Sequence, residues 1–415
     1  MSGALSSKLT QTVSSRGGQR GLQCGLDAFS SSSRTSLRAT SISSRAAATT
    51  TTSHQFTQSA NMSTHRVAIL GFGTVGKGFV EIIKKKNAML QQKFGLDVQV
   101  VAVSDFNKGS VYAPDGLNLP ELLEWDAAGK SLNDFGKDKG YKHEMDSLQT
   151  CKDVACDSLL EMTFTNLDDG TPAISHVETC LQNGKNVITT NKGPVVFAYD
   201  ELDALARKNG LRFMIEGSIV SGTPVVSLMR NLPACEYTEI GGILNGTCNY
   251  MLSSMEFDGV EYDAALKEAQ RLGYAEANPS FDVGGGDARA KAIILCRMLK
   301  DPFPTDKIEL EGIEGVTKAM VDEAKANGKR YKLVSTLKFD SSTQKISSIA
   351  VKPTLLDVKT DALANVGGAL NALNFKTDML GPDLTIIGPG AGKIETGYSL
   401  FTDLMYLCNL GKSFP

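Results

Sequence analysis

From residue 66 onward, short apolar runs alternate with longer stretches of mixed polar and apolar residues, a rhythm of strands and crossover helices. Arg66-Val67-Ala68-Ile69-Leu70 predicts a buried parallel strand, and the stretch from Lys77 to Gln92 predicts a helix. Val98–Ser104, Ser158–Thr163 and Asn186–Thr190 predict further strands. A helix over Ser175–Asn183, ended by Gly184, lies between the last two. Leu211–Glu216 reads as another strand, and Val225–Asn231 as a short helix opened by Pro224. Glu239–Leu244, Lys332–Phe339 and Ile346–Lys352 predict strands of a second sheet, and Ile313–Ala326 a helix. The chain closes on a strand at Thr385–Ile387, a glycine loop over Gly388–Gly392 and a helix over Tyr398–Asn409. This order predicts an α/β fold. The longest apolar runs, such as Ala292–Cys296, fall far short of the roughly 20 residues of a membrane span.

Between the first strand and the first helix stands Gly71-Phe72-Gly73-Thr74-Val75-Gly76. A G-x-G-x-x-G turn in that context predicts a dinucleotide site. The first glycine permits the tight turn, the second lets backbone approach a pyrophosphate, and the third lets helix pack on strand. Asp105 ends the second strand, where an acid can bind ribose hydroxyls and favour NAD over NADP. It lies 29 positions after Gly76, beyond the usual spacing of about 20, and Lys108 beside it offers a counter-charge to a 2′-phosphate. Thr165, Asn166 and Lys192 fall at the carboxyl ends of later strands, where an open parallel sheet binds ligands. The first sheet is therefore expected to be a Rossmann-type, doubly wound dinucleotide-binding domain over residues 66–210, completed by 375–410. A second, mixed α/β domain that binds substrate is expected over 211–374.

Charge divides the chain. Residues 1–62 hold six basic residues against the single acid Asp27, so a +5 head precedes a −8 body within a total of −3. An Arg- and Ser-rich, acid-poor head has the composition of a transit peptide. It predicts an organelle, the plastid ahead of the mitochondrion, with Met62 as an alternative start for a cytosolic form. The acidic body argues against a nucleic-acid partner held by a basic face. Of eight cysteines seven lie scattered through the body, a pattern of reduced thiols rather than of a disulfide framework.

The densest chemistry lies between Gly273 and Lys291, where Glu276, Asp282 and Asp287 precede Lys291 around Gly284-Gly285-Gly286. A helix starting near Gly286 puts Asp287 and Lys291, four apart, on one face. The helix is apolar further on, so one face must be buried and the lysine partly desolvated, with its charge state tuned for proton transfer. The bland alternative is a capping Asp with an i,i+4 Lys. Asn245-Gly246-Thr247-Cys248-Asn249-Tyr250 reads as a loop whose small polar groups can bind a small solute.

Taken together, the Gly71–Gly76 turn, Thr190-Asn191-Lys192-Gly193-Pro194, Glu216 to Pro224, Gly246–Tyr250, the Gly273–Lys291 block and Gly388–Gly392 resemble the monofunctional homoserine dehydrogenases. The similarity runs from about Arg66 to Leu410. It implies reversible NAD(P)H-dependent reduction of aspartate 4-semialdehyde to homoserine by a homodimer. By the same resemblance Lys291 transfers the proton and Lys192 is a second essential lysine. Glu276 and Asp282 bind substrate, Asp287 orients it, and Gly392 contacts the nicotinamide side of the cofactor. Glu216, Ile219, Ser221 and Thr223 match a loop where some members hold a monovalent cation, Na or K, largely through backbone carbonyls. No kinase-like segment is expected before residue 66, and with only Gly411–Pro415 after the last helix no regulatory domain is expected either. Glu395-Thr396-Gly397 departs from the smaller or more apolar residues expected there. Two alternatives remain: another amino-acid or semialdehyde reductase, and a non-catalytic dinucleotide sensor on the same fold.

Overall fold

Leu70 and the three residues before it have no exposed face, as a strand covered by helices on both sides requires. In this computed structural model, which describes residues 62–381 and 383–409, that strand is β1 (Ser63–Leu70). The leader expected over residues 1–62 lies, apart from Met62, outside the described residues. β1 is joined in one sheet by β2 (Leu96–Asp105), β3 (Gly109–Tyr112), β4 (Lys142–His143), β5 (Ser158–Glu161), β6 (Asn186–Thr189) and β7 (Phe213–Met214). Their order is β4-β3-β2-β1-β5-β6-β7, parallel from β2 to β7 with β3 and β4 antiparallel at one edge. The order turns back at β1, so a crevice opens between the carboxyl ends of β1 and β5, as expected of a doubly wound sheet.

The helix Thr74–Phe94 follows β1 and buries Phe79, Val80, Ile82, Ile83 and Leu90. Gly95, with φ 63°, ends it and donates to Gln91 O. The C-terminal helix Lys393–Leu407 packs on it, and Leu400 and Leu404 share one core with Val67, Ile69, Phe79 and Ile83. Each such side chain contributes about 1.5–3 kcal/mol. Phe79→Ala would break this seam at a cost of about 3–5 kcal/mol.

The second sheet runs β13-β12-β8-β10-β11-β9, built from β8 (Tyr237–Ile243), β9 (Glu309–Leu310), β10 (Lys329–Phe339), β11 (Ile346–Asp357), β12 (Leu370–Thr377) and β13 (Leu384–Pro389). It is antiparallel except between β11 and β9. Helices Gly246–Phe257, Gly286–Met298 and Lys318–Ala326 pack against it. The helix Gly286–Met298 also packs on Lys192–Lys208 of the first sheet's layer, and that contact brings the two parts' chemistry together. Among the described residues no helix is long and apolar enough to cross a membrane, and the seven cysteines are all free.

Several sequence expectations need correction. Asn245–Tyr250 is not a loop: Asn245 caps the helix Gly246–Phe257. That helix is buried on nearly every side, so it shows no amphipathic stripe. The strand expected over Leu211–Glu216 shortens to Phe213–Met214, which still belongs to the first sheet, so the boundary at 210 falls short. Residues 375–389 do not complete the first domain: β12 and β13 are strands of the second sheet, and only the helix Lys393–Leu407 returns. The helix expected from Ile313 starts at Lys318, where Thr317 caps it by accepting from Met320 N. The helices Lys192–Lys208 and Tyr262–Arg271 and the strand Leu370–Thr377 are additional.

Candidate active site

The glycine turn sits at the switch crevice. Gly71 has φ +89°, and a Cβ there would stand 2.4 Å from Met162 O at the end of β5, so only glycine fits. A Cβ at Gly73 meets nothing within 4 Å, and no side chain caps the helix that starts at Thr74. Open space and free N–H groups fit a pyrophosphate. Phe72, Thr74, Val75 and Gly76 complete this turn, with Gly76 packed against Gly71 O. Asp105 accepts from Phe72 N (2.7 Å) and from Asn107 N (3.0 Å), so the acid at the end of β2 is fixed against the turn. Lys108 is held away from that role: its ammonium donates to Asp126 (2.5 Å) and Phe72 O (2.7 Å), and Lys77 shares Asp126 at 3.2 Å.

Asn191 caps the helix that Lys192 begins, accepting from Gly193 N at 3.0 Å and donating to Phe164 O at 3.1 Å. Lys192 is thereby carried from the end of β6 into a cleft of about 1180 Å³. The far wall carries Asn245, Tyr274, Glu276, Asp282, Asp287 and Lys291, while Thr165, Leu167, Asp168 and Gly367–Leu370 line other sides. Pro389, Gly390 and Ala391 close one edge. Gly392 follows them at φ +143° and leads into the C-terminal helix.

Asp287 is the hub. Its Oδ2 lies 3.0 Å from Lys291 Nζ and its Oδ1 3.6 Å from Lys192 Nζ. Lys291 is buried and donates also to Leu244 O at 2.6 Å. Asn245, which sequence reasoning placed in a loop, spans both acids: Nδ2 donates to Asp282 Oδ1 (2.7 Å) and Asp287 Oδ2 (3.1 Å), while Oδ1 accepts from Cys248 N (2.8 Å). A helix cap thus doubles as a clamp. Burial acts to raise the pKa of Asp287, but the ammonium groups of Lys291 and Lys192 outweigh it and hold the carboxyl down at about 2. Burial moves Asp282 upward, with repulsion from Asp287 adding to it and the Asn245 hydrogen bond opposing. Glu276 is exposed at the mouth.

The side chains of several expected positions are engaged elsewhere. The Asn166 amide is spent on its own loop, donating to Asp169 and Thr171 O and accepting from Asp168 N. The Glu216 carboxylate caps the helix Val225–Arg230, accepting from Val226 N (2.9 Å), Ser227 N (2.8 Å) and the Ser227 hydroxyl. Ser221 Oγ meets Thr396 Oγ1 at 2.7 Å, and Thr223 Oγ1 donates to Pro389 O at 3.2 Å. With Ile219 contributing no polar side chain, the side chains of this set do not form a cation site. Among the described residues no group of three or more His, Cys, Asp or Glu could hold a metal ion.

Residues 224–405 match the family model described as homoserine dehydrogenase, and residues 32–198 match one described as glutamate/leucine/phenylalanine/valine dehydrogenase. The chain is 36% identical over 350 residues to an NAD(+)-dependent homoserine dehydrogenase of Pseudomonas canavaninivorans, covering 83% of this chain and 97% of that one. It is 34% identical over 348 residues to a homoserine dehydrogenase of Methanocaldococcus jannaschii, covering 83% and 99%. Among solved structures, a homoserine dehydrogenase from Thiobacillus denitrificans superposes with a TM-score of 0.70 at 30% identity, covering 85% of this chain and 75% of that one. A hyperthermophilic archaeal homoserine dehydrogenase in complex with NADPH gives 0.69 at 28% identity, covering 85% and 99%.

Proposed function

This chain belongs to the homoserine dehydrogenase family, and on that premise we propose how its cleft carries out an NAD(P)-dependent oxidoreduction at the CH–OH group of homoserine. The bound cofactor supplies hydride exchange with the substrate carbon. The contribution of this chain is to place the carbonyl carbon at about 3–3.5 Å from that donor and to manage the proton. In the reducing direction the Lys291 ammonium gives its proton to the oxygen as negative charge develops there; in the oxidising direction the neutral amine takes it back. Asp287 and Leu244 O aim the nitrogen. Lys192 stands on the other oxygen of Asp287 and offers a second positive charge to substrate or cofactor. Asp282, fixed by Asn245, and Glu276 at the mouth suit the ammonium of an amino acid. The observation that carries this reading is the buried Lys291–Asp287 contact inside the cleft. Steady-state oxidation of homoserine with NAD and with NADP tests it, and no turnover with either contradicts it.

The same reading favours NAD over NADP. The Asp105 carboxylate suits ribose hydroxyls and repels a 2′-phosphate, while Lys108 and Lys77 are drawn to Asp126, which cancels one of their two charges. A cation at Glu216–Thr223 rests, in this reading, on the main-chain carbonyls of Glu216, Ile219, Ser221 and Thr223. A homodimer also belongs to it. The face of the second sheet carrying Glu239, Thr336, Lys338, Lys352 and Lys376 is the surface offered to a second copy, and sedimentation tests that. The basic leader is read as an organellar address, plastid first, which a fluorescent fusion of residues 1–62 tests.

A further inference from the structure

We propose that Asn371 is a positioning residue for hydride transfer, the catch that seats the glycine loop 388–392 against bound cofactor. The inference rests on the dehydrogenase reading above.

Asn371 stands on β12, fully buried, with neither Oδ1 nor Nδ2 hydrogen-bonded. Exchanging the two amide atoms changes nothing, since both lack partners. Orphaned buried amide groups are costly and rare, and those that persist cluster where a structure has work to do. The surroundings show what that work is. Just before Asn371 the cleft wall is pinned: Lys332 Nζ donates to Val366 O (2.7 Å) and to Asn249 Oδ1 (2.9 Å), and Asn249 Nδ2 donates to Leu370 O (2.9 Å). Lys332 is itself buried, so this pin is rigid.

On its other side the amide faces backbone. A Cβ at Gly390 would fall 1.9 Å from Asn371 Oδ1, and one at Gly246 would fall 3.4 Å from it. Both glycines line the cleft. Gly390 belongs to the loop that closes one cleft edge, and Gly246 starts the helix whose cap, Asn245, clamps Asp282 and Asp287. The free donor and acceptor of Asn371 therefore lie between the cofactor-side loop and the substrate-side clamp. The glycine backbone on both sides carries N–H and C=O groups able to satisfy them. A small shift of the loop as cofactor binds makes these bonds and releases the cost of the orphaned amide. Only glycine at 390 leaves room for the amide.

The test uses the full chain, wild type and Asn371→Ala. Hydrogen exchange of residues 386–392 is followed with and without NAD, beside melting temperature and kinetics on homoserine. The expected result is NAD-induced protection in wild type that is lost in the variant. With it, kcat falls roughly ten-fold while KM for homoserine holds within about two-fold. The melting temperature stays at or above wild type, because two unsatisfied groups are removed. Unchanged protection and kcat in the variant overturn the catch, whatever the melting temperature does. If Asn371→Ala does not fold, Asn371→Ser, which also lacks the reach, is read by the same criteria. Normal wild-type turnover with no loss in the variant overturns this proposal alone; no wild-type turnover overturns the reading beneath it as well.

Discussion

The Asn245 side chain holds Asp282 at 2.7 Å with the same amide nitrogen that reaches Asp287 at 3.1 Å. One neutral donor thus bridges two acids that repel each other, and their environments push them in opposite directions, Asp287 down and Asp282 up. In the proposed mechanism this divergence assigns roles: Asp287 stays ionised to hold two lysines, and Asp282 is left to meet the substrate. Asn245→Ala is expected to raise KM for homoserine roughly ten-fold or more, by freeing Asp282 and the start of its helix. Equal KM values in variant and wild type would remove the clamp from the account.

Acid stability follows from Asp287. Its folded-state pKa of about 2 lies below the ordinary value of 3.8, so the unfolded chain binds the proton more readily. Its contribution is therefore present above about pH 4 and is lost as pH falls toward 2. Urea unfolding at pH 5 and pH 3 should show this loss in wild type and a smaller one in Asp287→Asn. The variant should also be less stable by about 3–5 kcal/mol at neutral pH, because a buried pair loses one partner.

Asp403 predicts the opposite slope. It is fully buried on the C-terminal helix, accepts from Glu216 N at 2.9 Å, and faces Arg230 at 3.9 Å. Burial, with Glu216 repulsion, pushes its carboxyl up to about 7 against the pull of Arg230. The native state holds this proton where the unfolded chain has lost it. The contribution is thus full below pH 4 and is lost as pH rises through 7. Asp403→Asn should flatten that decline, raising the melting temperature more at pH 8 than at pH 5. A uniform shift at both pH values would contradict the assignment.

On the proposed reading, cofactor choice is made at Asp105. Asp105→Ser removes the negative charge beside the ribose and should narrow the preference for NAD over NADP by roughly ten-fold or more, seen in the ratio of kcat/KM values. An unchanged ratio would leave the preference to other residues.

Much of this site was legible because its chemistry is local. The Gly71–Gly76 turn and the Asp287–Lys291 pair are set by strand–turn–helix order and by a four-residue spacing, which tertiary contacts do not alter. Asn245 reads as a loop residue because the helix it caps is buried from Thr247 to Asn249 and from Met251 to Glu256, which erases the stripe that marks a helix. Asn371 gave no signal at all, since its isolation depends on Gly390 arriving from a neighbouring strand end. The end of the first domain is hidden in the sequence for a related reason. β12 (Leu370–Thr377) and β13 (Leu384–Pro389) carry apolar residues that fit either sheet by composition, and only the pairing of β12 with β8, and of β13 with β12, decides.

The central claim is that Lys291, aimed by Asp287, moves the proton. Steady-state oxidation of homoserine by Lys291→Ala, beside wild type and with NAD affinity measured separately, tests it most directly. The account predicts a fall of roughly 10²–10³ in kcat/KM, about 2.7–4 kcal/mol of transition-state stabilisation, with NAD binding and folding retained. Near-normal turnover by this variant would contradict it.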